Sequence, residues 1–147
     1  MYKRPESVLV VIHTAAGEAL LIKRTDLPDF WQSVTGALKW DETPIEAAVR
    51  ELREETGIEM AAERLRDWKR TFEFPILPQF RHRYAPDVTV NLEHVFSLQL
   101  PERVPVRLGP REHTEHVWLP LSEAAARVWS WTNKAVLKEI LENRKPK

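Results

Sequence analysis

Residues 7–13 form an unbroken run rich in β-branched side chains, and residues 18–23 form a second apolar segment beyond the turn residues 15–17. Two such runs on either side of a short polar turn predict an opening hairpin. Residues 31–35 read as a short extended piece that ends at Gly36. Further strands are expected at residues 67–74, 88–100 and 116–119. Pro75, Pro78 and Pro86 interrupt pairing between them, so residues 75–87 should form a connecting loop. One helix carries its own start and stop signals. Thr43 suits the N-cap, Pro44 the first helical position, Glu46 the reciprocal half of a capping box, and Gly57 the left-handed residue that ends a helix. A second helix is expected over residues 133–142, where Val136, Leu137, Ile140 and Leu141 share a face after a cap at Thr132, and a shorter helical turn should follow Ser122. There are no repeats, low-complexity stretches or linkers. Strands and helices therefore interleave in one mixed α/β layer structure, a single domain over residues 1–147.

Composition narrows the function classes. At 147 residues and 43% apolar, with six Trp and five Phe, the chain can fill one core. Twenty-two basic residues balance twenty-two acidic ones, so no global field draws in nucleic acid or an anionic membrane, and any bound anion must be held locally. The absence of Cys excludes a disulfide framework, a thiolate metal site and a thiol nucleophile. No apolar run approaches the roughly 20 residues that span a bilayer, and residues 1–5 are not followed by a signal-type apolar region. The expectation is a soluble, cytoplasmic protein with a small-molecule partner, no nucleic acid and no membrane. Its oligomeric state is left open.

The first helix concentrates the chemistry. On an ideal wheel with Glu51 at zero, Ala48 lies near 60°, Leu52 near 100°, Ile45 near 120° and Val49 near 160°, which predicts the buried stripe. Glu54 falls at about 300° and Glu55 at about 40°, so both flank Glu51 on one edge. Like charges at that spacing cost a few tenths of a kcal/mol per pair in water and more if enclosed, roughly as like-charged helix neighbours do. A divalent cation reverses the sign of that cost. Oxygen-only ligands point to a hard ion, Mg²⁺ or Mn²⁺, of the kind that bridges a few carboxylates to substrate phosphates. A plainer reading also stands: Glu46, Arg50 and Glu54 recur at i, i+4 and can lace a solvated helix with weak ion pairs.

Spacing decides between them. Gly36, five residues, Glu42, seven residues, then Arg50-Glu51-Leu52-Arg53-Glu54-Glu55-Thr56-Gly57-Ile58 fits G-x5-E-x7-R-E-U-x-E-E-x-G-U, with U a bulky aliphatic residue. By average residue usage a chance match is on the order of one in a billion at one start point. The segment resembles the signature of the Nudix hydrolases. That resemblance implies an α/β/α sandwich with a mixed sheet and Mg²⁺-dependent hydrolysis of a diphosphate linked to another group. It also implies Glu51 and Glu55 as metal ligands, and Glu51 and Glu54 as the catalytic carboxylates with the base unassigned between them. Arg50 is read as structural, orienting its acidic neighbours.

Segments outside the signature resemble one branch of that family, the bacterial dihydroneopterin triphosphate diphosphatases. They are residues 2–5, 29–36, 81–86, Glu112-His113 ahead of Trp118-Leu119, and residues 130–133. The branch resemblance implies release of pyrophosphate from 7,8-dihydroneopterin triphosphate to leave the monophosphate, in folate synthesis. It adds Glu112 as a metal ligand from outside the helix, with Glu115 as its rival. Lys3, Arg24, Thr35, Phe74, Pro75, Ile76, Leu77 and Ser130 match substrate-facing positions. The basic pair suits a polyanionic triphosphate, and Phe74 is placed to stack on a flat ring or simply to fill core. Pro75 departs from the branch and removes one backbone donor from the segment lining the base. Residues 81–84 are a loop without an assigned role. Two alternatives stay open: a less selective nucleoside triphosphate hydrolase, and a non-catalytic ligand sensor on the same fold.

Overall fold

The computed structural model describes residues 1–25, 29–109 and 113–144. Among the described residues seven strands form one sheet: β1 (Glu6–Thr14), β2 (Glu18–Arg24), β3 (Trp31–Gln32), β4 (Val34–Ala37), β5 (Arg66–Pro75), β6 (Val90–Leu100) and β7 (His113–Pro120). The main order is β3-β2-β1-β6-β5, with β4 paired to β1 and β7 to β2. The sheet is mixed because β1 runs parallel to β6, with Ser7 opposite Glu93 and Val11 opposite Ser97, while its other pairings are antiparallel.

The unbroken apolar run in β1 has a structural cause. Val8, Val10 and Ile12 face one core, and Leu9 and Val11 face the other, so both sides of this strand are covered. The first core holds α1 (Pro44–Thr56) through Ala47, Ala48 and Leu52. The second holds α2 (Leu121–Arg127) and α3 (Trp131–Arg144) through Leu121, Val136 and Leu137. This is the α/β/α sandwich expected from the sequence. No described helix is long and apolar enough to cross a membrane.

Both ends of α1 form as expected. Thr43 and Glu46 complete the capping box, and Gly57 takes φ 77° with its N–H on the Arg53 carbonyl. The buried stripe is turned relative to the expected one. Ala47, Ala48, Glu51, Leu52, Glu55 and Thr56 are buried, while Ile45 and Val49 are only partly covered. The rotation moves two carboxylates to the covered edge of the helix. Leu52 has no exposed surface, so Leu52→Ala is expected to cost about 2–5 kcal/mol in chemical denaturation, as large-to-small core changes do.

Three local expectations need correction. The piece at residues 31–35 divides at Ser33, whose N–H donates to the Asn133 side chain at 2.8 Å, and pairing resumes in β4. The loop of residues 75–87 contains a 3-10 helix, Pro78–Arg83. The cap of α3 is Ser130, since its Oγ accepts from the N–H groups of Thr132 and Asn133 at 3.2 and 3.4 Å. Thr132 lies inside the helix and is fully buried.

Candidate active site

At Gly36 the sheet lies close against the acidic helix. A Cβ at this position would lie 2.2 Å from Cδ of Glu51 and 2.4 Å from Oε1, so only a hydrogen leaves space for the carboxylate. The following loop is pinned from outside by Arg4, whose Nη1 donates to the carbonyls of Lys39 and Glu42 at 3.0 and 2.9 Å. The Glu42 carboxylate turns back to accept from the Lys39 N–H at 3.0 Å.

Arg50 joins this loop to the helix. Its Nε and Nη2 each donate to a different oxygen of Glu42 at 2.7 Å, and Nη2 also reaches the Ala37 carbonyl at 3.0 Å. Nη1 donates to Glu51 at 2.7 Å and to Glu54 at 3.1 Å. One planar cation thereby sets three carboxylates, the orienting role expected for it. The Glu42 side chain is only 11% exposed and Arg50 13%, which separates this network from solvated lacing along a helix. The guanidinium holds the Glu42 carboxyl below its ordinary 4.5, and the Lys39 N–H adds to the effect. Folding then favours the ionised form, so the pairing contributes stability above about pH 4.5 and gives it up as pH falls through the folded value. Arg50→Met should lose on the order of 3–5 kcal/mol at pH 7, the scale for stranding one half of a buried pair. In denaturation curves the gap from the natural chain should narrow toward pH 3.

Beside Glu51 opens a cleft of about 790 Å³ between β5 and the start of α3. All eight positions expected to face substrate line it: Lys3, Arg24, Thr35 and Ser130, and the run Phe74, Pro75, Ile76 and Leu77. Arg24 sits over two rings, 5.3 Å from the centroid of Phe30 and 5.6 Å from that of Phe80. Lys3 Nζ stands 5.9 Å above Tyr84. The Thr35 hydroxyl donates to the Val8 carbonyl at 2.9 Å, and the Ser130 oxygen is engaged in capping α3. Pro75 does not break the pocket wall: it pairs opposite Val90, and Ile76 resumes bonding through its N–H to the Thr89 carbonyl at 2.9 Å.

The remaining acidic residues are distributed differently. Glu55 is 2% exposed, whereas the Glu54 side chain is 51% exposed. Neither lines the cleft, while Glu51 does. Glu112 lies outside the described residues. Among the described residues no three acidic or His side chains are gathered as a complete metal cage. Two covered carboxylates at i, i+4, with only oxygen donors, nevertheless fit Mg²⁺, which uses one or two protein carboxylates and completes its shell with water and phosphate oxygens.

Sequence reasoning missed several cleft residues, among them Ser7, Asn91, Glu93 and Trp131. A signal existed in β6: Asn91 and Glu93 share the strand face of Val95, a core residue, so two polar side chains stand where alternation calls for apolar ones. Part of the 81–84 loop also acquires a place, because Arg83 and Tyr84 border the cleft.

A mixed sheet between helical layers, with an acidic helix set against a glycine at the sheet edge, defines a class, and the NUDIX domain model matches residues 3–140. The chain belongs to the Nudix family. Within it, the chain is 44% identical over 146 residues to a dihydroneopterin triphosphate diphosphatase of Escherichia coli K12, covering 97% of this chain and 96% of that one. A protein of the same name from Haemophilus influenzae is 40% identical, covering 97% and 90%. The structure of the E. coli dihydroneopterin triphosphate pyrophosphohydrolase superposes with a TM-score of 0.88 at 44% identity, over 97% of this chain and 99% of that one.

Proposed function

We propose that this chain hydrolyses 7,8-dihydroneopterin triphosphate to the monophosphate and pyrophosphate. The observation that carries the reading is one cleft that brings Glu51 together with all eight positions expected to face substrate. The near full-length similarity to relatives of that name supports it. Glu51 and Glu55, with Glu112, are assigned as ligands of Mg²⁺, for which Mn²⁺ would substitute. Such an ion would neutralise phosphate oxygens and lower the pKa of a bound water. Lys3 and Arg24 supply the local positive charge that a net-neutral protein needs to hold a triphosphate. Phe74 and Ile76 offer apolar surface to a flat ring, and Thr35 and Ser130 border the chain between ring and phosphates. Glu51 or Glu54 accepts the proton of the water that attacks phosphorus, and pyrophosphate departs without a covalent intermediate.

The test is pyrophosphate release from dihydroneopterin triphosphate beside the common nucleoside and deoxynucleoside triphosphates, with Mg²⁺ and then with EDTA. Metal-dependent release with a clear preference for the pterin in kcat/KM is expected. Equal kcat/KM for dATP would replace the pterin assignment with a broader triphosphate hydrolase. Binding without release of pyrophosphate or phosphate would make the domain a sensor.

A further inference from the structure

Glu93 lines the cleft and has no role in the hydrolysis proposed above. It is 4% exposed, and Oε1 is buried with no hydrogen-bond partner among the described residues. Burial of a carboxylate is costly unless donors reach it. The Thr132 hydroxyl supplies one donor to the Glu93 carboxylate. Ser130 and Thr132 oxygens lie 2.7 Å apart, so with Thr132 donating to Glu93 the Ser130 hydroxyl donates to Thr132. Ser130 Oγ in turn accepts from the backbone at the start of α3. The chain of bonds leaves Glu93 Oε1 as an acceptor in search of an N–H. Desolvation accordingly pushes the Glu93 pKa up to about 7, and a donor pair from a ligand would draw it back down.

The surroundings define the shape of that ligand. Asn91 is one strand period away on the same face, fixed by its Nδ2 donating to Ser7 Oγ at 2.8 Å. Phe74 is paired opposite Asn91 across β5 and β6. Trp131, held edge-on to Phe72 at 5.5 Å, borders the same cleft. A carboxylate edge between apolar walls fits a planar heterocycle that presents a ring N–H next to an exocyclic amino group. Dihydropterin and guanine both carry that edge. Adenine offers a ring acceptor there instead.

We infer that Glu93 is the specificity-determining residue of the cleft, reading the adjacent ring N–H and amino group of a pterin or guanine-type base through its carboxylate. This inference rests on the proposed pterin triphosphate reading, and it concerns the base rather than the reacting phosphates. The two separate experimentally. Fluorescence titrations in EDTA, where the assigned metal chemistry is suppressed, compare dihydroneopterin triphosphate, GTP and ATP on the natural chain and on Glu93→Gln. The variant loses a buried charge and keeps its volume, so it should fold at least as well by thermal denaturation. Affinity for the pterin and for GTP should fall about 10- to 100-fold, as expected for losing hydrogen bonds to a charged acceptor. ATP should change by less than about threefold, since it makes no such pair. The same ratio should appear in kcat/KM with Mg²⁺, mainly through KM. Pterin binding unchanged in Glu93→Gln, or an equal loss for ATP, overturns the role of Glu93 and leaves the substrate reading standing. A natural chain that prefers ATP overturns both.

Discussion

Glu55→Gln is expected to lower kcat by 10²–10³-fold, about the scale of one preorganised electrostatic group, while the protein folds as well as before. Glu55 is 2% exposed one turn beyond Glu51, and the amide preserves its shape. What changes is charge. A neutral amide is less costly to bury than a carboxylate and relieves repulsion from Glu51, so the apo thermal midpoint should hold or rise. With its proposed ligand charge removed, the variant should also lose stabilisation by added Mg²⁺ or Mn²⁺, which for a native-state ligand grows with concentration over Kd. Kinetics and metal-dependent melting curves measure the two effects separately. Normal turnover in Glu55→Gln would remove this residue from the metal assignment.

Gly36→Ala should produce the second large effect, by a steric route. The added methyl would lie 2.2 Å from Glu51 Cδ. The backbone has little freedom to yield, because Gly36 is paired opposite Val8 in the sheet. The carboxylate must move, and Arg50 ties it at 2.7 Å to the network that also holds Glu42. If Glu51 has its proposed catalytic role, a shift of about an ångström in its carboxylate is expected to cost on the order of 10² in kcat. Alanine is otherwise acceptable in a strand, and less costly in chain entropy than glycine, so stability should change far less than activity. Parallel measurement of kcat and the denaturation midpoint distinguishes a displaced carboxylate from a damaged fold.

The parts of the molecule legible in the sequence were those governed by near neighbours. The capping box of Thr43 and Glu46 and the left-handed Gly57 need only a few adjacent residues, so both ends of α1 were readable. The phase of its buried stripe was not, because Glu51 could be turned inward only where Gly36, distant in sequence, leaves room for a carboxylate. The cap of α3 illustrates a close competition: Ser130 and Thr132 are both competent, and the burial of Thr132 against the sheet settles it. The resemblance picked out eight of the cleft's lining positions residue by residue. Glu93 and Asn91 escaped because period-two reading of β6 recognises a strand from its apolar positions and passes over the polar pair on the buried face, whose place in the cleft is set by the start of α3.

Strand β1 is made within the first residues of the chain, yet along its length it lies parallel to β6, with Glu6 opposite Leu92 and Thr14 opposite Leu100. Closing so long a loop carries an entropic cost before any contact repays it, and parallel pairing of this kind slows folding. During synthesis, the residues of α1 and its acidic edge therefore emerge long before those of β6, which complete the core that holds them. A nascent chain ending shortly after Ile58 would carry every residue of the hydrolase signature and have no β6 wall, no α3 and no cleft. The cleft is thus assembled from both halves of the chain and is whole only once the second half has returned to β1.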